Sequence, residues 1–364
     1  MAQSLPCRAA ETQYGIAYFL WHCLAKGRPI YDISQEQKLG LPPGPVPEFH
    51  WWGKPADGYY CLSERDDILR QHAELLAKAG IDFVFIGFTN HDSMRYSRVH
   101  LEYLDPLAHL LAVWSTIPGA PKVVPVVPVT RNGDLYAEIA RRLLAYPQLL
   151  FNFKGKPLFL ITDNSIFHVD REKRAMLERT FTTRLMWADH SPPGSWMFLS
   201  RCAPGFLASK GQARCNQRVA YHDGAVEQVS VAAAFQYTYI SDPRTAVPRF
   251  HGVTFLRQMA RIDDFPHVPI VTVLGWNQWM AQRHCLKSWL LSELRCRLGF
   301  SDRVAGNYIF TDEFNQEYSN DFEPGGDMGD AYYRLLSCEI HRRKAGSSLA
   351  CPLPLGKSPI SRSN

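Results

Sequence analysis

The sequence predicts an α/β protein built on a single (β/α)8 barrel, or TIM barrel, with enlarged loops at the C-terminal face of its strands. Apolar runs recur along the chain and alternate with amphipathic helical patterns. The run Val-Val-Pro-Val-Val-Pro-Val (123–129) is apolar throughout, as expected for a strand buried on both faces of a parallel sheet. Eight such strands alternating with helices are typical of a closed barrel. We predict strands over residues 14–21, 82–88, 122–129, 157–162, 181–187, 229–235, 269–276 and 307–312.

The helical patterns lie between these strands. In one of them Ser63 stands where an N-cap is expected, apolar residues from Ile68 to Ala79 share a face, and Gly80 ends the helix. Further helices are predicted over residues 106–115, 132–146, 171–179, 251–262 and 330–343. No linker or repeat divides the chain. We therefore expect an N-terminal extension (1–13), one barrel domain (14–346) and a disordered tail (347–364).

Composition excludes several classes of protein. The net charge is only +5 and, apart from His-Arg-Arg-Lys at 341–344, the basic residues are scattered, so nucleic acid is not an expected partner. No apolar run approaches the roughly 20 residues that span a bilayer, so we expect no membrane span. The chain as given lacks the pattern of a signal peptide, which favours a cytoplasmic location by default, or secretion if its N-terminus is truncated. We also expect a monomer.

Cysteine and histidine spacing gives no sign of a metal site or a cofactor. The nine cysteines include no Cys-x-x-Cys, and no His-x-x-x-His or His-Glu-x-x-His occurs. We expect no metal, no cofactor and mostly buried thiols. A disulfide between Cys202 and Cys215 is the alternative if the chain is secreted.

Polar and aromatic residues concentrate just after the predicted strands, where barrel enzymes build their sites. Indole rings can stack on the C–H face of a sugar while amides, histidines and carboxylates bind its hydroxyls, so this composition favours a carbohydrate ligand. The competing interpretation is that the tryptophans cover the core and that the histidines are structural. The predicted substrate-binding residues are His22, His50, Trp52, Asn90, Trp187, Gln236, Trp276, Asn277 and Trp279.

Several motifs occur in the order found in one group of glycosidases. They are Phe-His-Trp-Trp-Gly-Lys-Pro (49–55), Ala-Gly-Ile-Asp (79–82), Thr-Asn (89–90), Gly-Trp-Asn-Gln-Trp (275–279) and the acidic stretch 312–324 that precedes Gly-Asp-Ala-Tyr-Tyr (329–333). Together they resemble the barrels of glycoside hydrolase families 71 and 99, and the resemblance runs from about Tyr14 to Lys344. It implies a TIM-barrel fold and action on glycosidic bonds.

The resemblance also implies a mechanism from which this chain departs. In family 99 a motif of the form Asn-Glu-Trp-x-Glu after strand seven supplies two carboxylates, one as the base for the sugar 2-hydroxyl and one as general acid/base. Here Asn277 and Trp279 match, but Gln278 and Ala281 stand at the two Glu positions, and Gly87 stands where relatives carry an acid after strand two. An amide cannot act as a general base, so that mechanism cannot operate unchanged.

Two hypotheses of different classes remain. The first is an active glycosidase with paired carboxylates drawn from Glu317, Asp321, Asp189 or Asp92, with Gln278 at the position of the family's Glu. The second is a catalytically inactive barrel that binds carbohydrate. A glycan-biosynthetic transferase is a third, weaker interpretation, because the sequence carries no nucleotide-sugar signature.

Overall fold

The computed structural model of the chain describes residues 11–25, 27, 29–40, 49–89, 96–164, 167–187, 192–198, 217, 219–234, 247–265, 267–285, 308–311 and 315–354. The strands found there are β1 (Gln13–Tyr18), β2 (Phe49–Trp51), β3 (Phe83–Gly87), β4 (Lys122–Pro128), β5 (Asn152–Phe153), β6 (Lys156–Thr162), β7 (Thr182–Trp187), β8 (Trp196–Met197), β9 (Val219–His222), β10 (Ala225–Ala232), β11 (Ile270–Leu274), β12 (Met280–Cys285) and β13 (Tyr308–Thr311).

A nearly closed barrel of parallel strands forms the body of the molecule. Its strands follow the order β8-β7-β6-β4-β3-β1-β11-β10, and each neighbouring pair is parallel. The short strand β9 adds an antiparallel edge to β10. The predicted fold class, a TIM barrel, is confirmed.

The remaining gap, between β8 and β10, is bridged by a side chain. Gln228 on β10 accepts a hydrogen bond from the Met197 N–H (3.0 Å) and donates one to the Met197 carbonyl (3.0 Å). It also donates to the Thr272 hydroxyl (2.6 Å) on β11. One buried amide thus makes the two bonds that a neighbouring backbone would make in a regular ladder.

A buried ion pair lies beside this bridge. Glu227 forms a bidentate pair with Arg184 on β7 (2.6 and 2.8 Å) and accepts bonds from Lys154 (2.9 Å) and the Trp196 indole (2.8 Å). Burial raises the pKa of Glu227, but the hydrogen bonds from its cationic and indole partners outweigh that effect and lower the pKa to about 2. The carboxylate therefore stays charged and joins β10 to β7 and β8.

The prediction for the eighth strand was wrong. β13 does form within the predicted 307–312 segment, but it pairs antiparallel with β12, which pairs antiparallel with β2 in a separate three-stranded sheet. The missing barrel strand is β8, whose two residues are too few to show a period in the sequence. Strand β11 is therefore the eighth barrel strand, not the seventh, and Gln278 follows it.

The described helices surround the barrel. They are α1 (Ile33–Leu39), α2 (Asp66–Lys78), α3 (Tyr96–Val99), α4 (Asp105–Trp114), α5 (Leu135–Leu144), α6 (Arg171–Glu178), α7 (Val253–Ala260) and α8 (Ala331–Lys344). Ser63 is not an N-cap, because it lies in a 3-10 turn (Leu62–Glu64) before α2 begins. Gly80 ends α2 as predicted, with a left-handed φ of 79° that glycine accommodates.

Two hydrophobic clusters make up the core. One fills the barrel with inward-facing residues such as Phe83, Phe85 and Leu160, and the other lies between the strands and the helices. Gly15 on β1 leaves the space that the Phe83 ring occupies, since a Cβ at that position would collide with the ring. The absence of a side chain there lets a large aromatic ring fill the barrel interior.

The cysteines and the C-terminal segment differ from expectation. Disulfides join Cys23 to Cys61 and Cys338 to Cys351, whereas Cys202 and Cys215 lie outside the described residues. The second bond fastens the start of the predicted tail to α8, and Cys351 is buried. The chain is thus held against the barrel as far as residue 354. The rest of the predicted tail, residues 355–364, also lies outside the described residues.

Candidate functional site

The segment after β11 forms the wall of the barrel mouth where the family-like motif lies. It begins at Gly275, whose φ of 95° suits glycine. A Cβ at this position would lie 2.6 Å from the Asn320 carbonyl oxygen, so the segment passes directly beneath the backbone of residues 319–323. We call residues 315–325 the strap, because they cross over the loop that follows β11.

The Asp321 carboxylate joins the strap to this loop. One oxygen accepts a hydrogen bond from the Gln278 N–H. The other accepts bonds from the Trp279 N–H (2.9 Å) and the Trp52 indole (2.7 Å). Asp321 is only 2% exposed, and charge-assisted bonds of this kind are about twice as strong as neutral ones. Its carboxylate therefore holds the backbone of the Gln278–Trp279 segment in place.

The loop is held in a conformation that it would not adopt alone. Trp279 has a φ of 40°, and a bulky residue in this region costs of order 1–3 kcal/mol. Its ring stacks on that of Trp52 with centroids 4.6 Å apart and planes 12° apart, and its indole N–H donates to Glu323. Together with the Asp321 bond, these contacts offset the strain.

Arg249 supports the strap from below. Its guanidinium donates to the carbonyls of Ser319 (2.6 Å) and Asp321 (2.6 Å) and lies 4.1 Å from the Tyr332 ring centroid. Glu317 accepts a bond from the Phe250 N–H (2.9 Å), and its carbonyl accepts one from the Arg249 N–H (2.8 Å). The strap is therefore tied on both sides.

A second buried carboxylate, Glu323, organises the polar network behind the loop. It accepts bonds from Tyr60 (2.8 Å) and His72 (3.0 Å) in addition to Trp279. The other ring nitrogen of His72 bonds to the Tyr18 hydroxyl (2.8 Å). Burial, reinforced by the negative charge of Glu323, raises the pKa of both tyrosines well above their ordinary value, so they remain neutral donors.

His22 and Asn277 anchor the loop to the end of β1. The Asn277 side chain exchanges two hydrogen bonds with the Phe19 backbone (2.8 and 3.1 Å), and His22 Nε2 donates to the Asn277 carbonyl (2.8 Å). The Nδ1 atom of His22 is buried and has no hydrogen-bond partner in the described part of the chain. Burial lowers the pKa of His22 to about 3, so the ring is neutral near pH 7.

The Gln278 side chain differs from its neighbours in this loop, although it is itself buried, with 3% of its surface exposed. Its backbone N–H bonds to Asp321 and its carbonyl accepts from the Trp21 indole (3.4 Å), but within the described residues its amide side chain has no hydrogen-bond partner. Ala281 lies in β12 opposite His50, and Gly87 is the last residue of β3. Neither position offers a functional group.

Most of the predicted stacking residues are buried. Trp276, Trp279 and Trp52 are no more than 2% exposed, and His22 and His50 are no more than 1% exposed. A ring whose faces are covered cannot stack on a sugar, so in this conformation these residues build the wall of the site. Their role in substrate binding stays a prediction. Among the described residues of the barrel mouth, Trp21 after β1 and Trp187 at the end of β7 are aromatic residues that keep accessible surface.

The predicted catalytic carboxylates also differ in placement from expectation. Asp321 binds loop N–H groups, and Glu317 is exposed on the far side of the strap with one oxygen on the Phe250 N–H. The structure gives both residues a loop-anchoring role. Four other predicted positions lie outside the described residues: Asn90, Asp92, Asp189 and Gln236.

One carboxylate that we did not predict as catalytic lies at the mouth. Asp163 directly follows β6, is partly buried, and has no hydrogen-bond or ion-pair partner among the residues described. The preceding Thr162 hydroxyl is buried and, within the same residues, also lacks a partner. The sequence signal was the position of Asp163 immediately after a buried strand, where a barrel presents functional groups.

Two other features are absent from the described residues. They contain no cluster of three or more His, Cys, Asp or Glu side chains that could hold a metal ion. They also contain no helix long and apolar enough to cross a membrane.

Comparison with known proteins supports the fold. No protein-family model and no curated protein matches the sequence. Two solved structures of a GH99 endo-alpha-mannosidase from Bacteroides thetaiotaomicron are similar, each at 13% sequence identity. The match to one of them spans 82% of this chain and 85% of the mannosidase chain, with a TM-score of 0.46. The match to the other, which is in complex with bis-tris-propane, spans 93% of this chain and 98% of the mannosidase chain, with a TM-score of 0.52. The chain therefore has a glycoside-hydrolase-like barrel fold.

The pKa of His22 leads to a prediction for acid stability. Because the folded pKa of about 3 lies below the unfolded value, His22 contributes stability that is full above the unfolded pKa and is lost as the pH falls towards the folded one. The His22→Gln variant keeps a donor for Asn277 but cannot be protonated. Between about pH 6 and pH 4, its unfolding free energy should fall less steeply than that of the wild type, by up to about 1.4 kcal/mol per pH unit.

Urea unfolding at several pH values measures this slope. The exposed Gln148, which does not titrate, provides the control, and Gln148→Ala should leave the slope unchanged. Equal slopes for the wild type and His22→Gln would show that folding does not lower the pKa of His22.

Proposed function

We propose that this protein is a glycoside hydrolase-like enzyme that binds an oligosaccharide or polysaccharide at the C-terminal end of its barrel and cleaves a glycosidic bond there. One observation carries the proposal. At the mouth of a barrel with a glycosidase-like fold, the Asp163 carboxylate and the Gln278 amide lack hydrogen-bond partners among the described residues. Buried or half-buried polar groups usually have such partners, and their absence is typical of a site that awaits a ligand.

The chemistry of these groups suits a sugar ligand. The Gln278 amide can donate to one sugar hydroxyl and accept from another. Trp21 and Trp187 retain accessible surface and can stack on a pyranose ring. Asp163 can serve as a general acid that protonates the glycosidic oxygen as the bond to the anomeric carbon breaks.

A glycosidase needs a second carboxylate to activate water or to attack the anomeric carbon. β6 lies between β4 and β7 in the barrel, and Asp189 follows β7 by two residues. Because adjacent parallel strands end at the same face, we assign the second role to Asp189, with Asp92 beyond β3 as the alternative. An endo-mannosidase mechanism that uses a carboxylate at position 278 does not fit this chain, since Gln278 cannot act as a base.

Replacing Asp163 tests the enzymatic proposal. Asp163→Asn keeps the size of the side chain and removes its proton transfer, so hydrolysis should fall by about 10²- to 10⁴-fold while binding is retained. The measurement is the release of reducing ends from the substrates that a panel of polysaccharides reveals. Glu74→Gln, on the exposed face of α2, is the control and should keep full activity. Undiminished turnover by Asp163→Asn would remove Asp163 from the mechanism.

A second candidate function is carbohydrate binding without catalysis. The observation that favours it is that the Asp321 carboxylate binds backbone N–H groups. In addition, Gln278, Ala281 and Gly87 carry no acid at the positions where the resemblance to families 71 and 99 implies acids. An inactive barrel would keep the Gln278 amide as a hydrogen-bonding group for a sugar.

Gln278→Glu separates the two candidates. If Asp163 and its partner already catalyse, a new anion at the mouth should raise the pKa of those carboxyl groups and shift the pH optimum upward. If the parent is inert but binds glycans, the variant should gain at most a trace of hydrolysis, because positions 281 and 87 still lack acids. A pH–activity profile of both proteins, beside glycan-array binding, measures this difference. A fully active variant beside an inert parent would contradict both accounts.

A further inference from the structure

Two disulfides cross-link separate segments of the described chain. Cys23 and Cys61 are 38 residues apart in sequence, with Cα atoms 4.4 Å apart. Cys338 and Cys351 are 13 residues apart, with Cα atoms 5.8 Å apart. Among the described residues, every cysteine whose side chain is placed takes part in one of these bonds.

The Cys23–Cys61 bond lies at the barrel mouth. Cys23 belongs to the 3-10 turn Trp21–Ala25 directly after β1, and Cys61 precedes the turn that leads into α2. The Ser63 hydroxyl lies 3.2 Å from one sulfur and 3.1 Å from the other. The bond therefore joins the two ends of the long loop that runs from β1 towards α2.

The Trp21–Ala25 turn also supports the Gln278 loop. Trp21 donates to the Gln278 carbonyl, and His22 donates to the Asn277 carbonyl. His22 directly precedes Cys23, and Trp21 stands two residues before it, in a turn of five residues. A cross-link here limits the movement of two side chains that hold the loop in place.

Neither pair has the features of a metal site or of a catalytic dithiol. No third ligand accompanies either pair in the described residues, and the spacings differ from Cys-x-x-Cys. Cys23 is 1% exposed, whereas a cysteine that exchanges thiols during function must be reached by its partner. The bonds are structural.

We propose that this chain matures by oxidation in an extracytoplasmic compartment and that the Cys23–Cys61 disulfide is the covalent modification that holds the barrel mouth in place. Structural disulfides persist in oxidising compartments and are rare where glutathione and thioredoxin keep thiols reduced. In the maturation step, two thiols lose two protons and two electrons as the S–S bond forms. The electrons reduce the disulfide of a thiol–disulfide oxidoreductase to its dithiol form.

Peptide mapping of the full chain tests the modification directly. The protein is expressed with export to an oxidising compartment, denatured without reductant, alkylated with iodoacetamide and digested. Mass spectrometry should find Cys23 linked to Cys61 and Cys338 linked to Cys351, with none of the four alkylated. Alkylation of Cys23 and Cys61 in the unreduced protein would overturn the proposal.

Paired variants test the role at the mouth. In Cys23→Ser/Cys61→Ser, amide hydrogen exchange over residues 21–25 and 276–279 should be at least several-fold faster than in the wild type. Cys338→Ser/Cys351→Ser is the matched control, and its exchange in those segments should be unchanged. If the first variant fails to fold, the wild type treated with dithiothreitol replaces it and should show a lowered melting temperature and the same faster exchange. Equal exchange at the mouth with and without the bond would overturn its assigned role.

Discussion

The hydrogen bonds to the Asp321 carboxylate determine the conformation of the barrel mouth. Burying an isolated carboxylate is expensive, and the cost is recovered only when strong donors surround it. Here the donors are two consecutive backbone N–H groups, those of Gln278 and Trp279, and the Trp52 indole. Because consecutive N–H groups on an extended chain point in opposite directions, a single carboxylate can receive both only if the chain turns sharply between them. That turn falls at Gln278, the residue between the two N–H groups, and it leads directly into Trp279, whose φ is positive.

The other contacts around the mouth follow from this turn. Once Trp279 is turned, its ring lies over Trp52 and its N–H reaches Glu323, which brings His72 and Tyr60 into the same buried network. Such networks are rigid when every member is satisfied. The Gln278 side chain differs from its neighbours, because rigid contacts surround it while, within the described part of the chain, its own amide makes no hydrogen bond. A preorganised polar group of this kind is what a binding site requires.

The barrel could be predicted from the sequence because its strands are long, apolar runs of the kind that a parallel sheet buries. β8 could not, since two residues show no period. Its link to β10 runs through the side chain of Gln228, and nothing in the sequence marks that residue as a bridge. The eighth predicted strand failed for the opposite reason: Tyr-Ile-Phe-Thr (308–311) is a good strand sequence, but its partner is β12 and not the barrel.

The sequence indicated a loop for the site but not the contacts within it. The tryptophans of the motif around Gln278 are buried. The Trp279 indole donates to Glu323, 44 residues away in sequence, and its ring stacks on Trp52. Sequence spacing carries no information on such pairings. Asp321 illustrates the same limit, since an acid in an acidic loop resembles a catalytic residue until its donors are known.

A crystal structure of the Asp321→Asn variant beside that of the wild type tests the central claim most directly. The asparagine amide nitrogen cannot accept a hydrogen bond, so one set of donors among Gln278, Trp279 and Trp52 loses its acceptor. In the variant, Trp279 should leave its positive φ, its stack on Trp52 should separate, and the Gln278 side chain should shift in the mouth. A variant in which Trp279 keeps its φ and Gln278 its place would show that the loop conformation does not depend on this carboxylate.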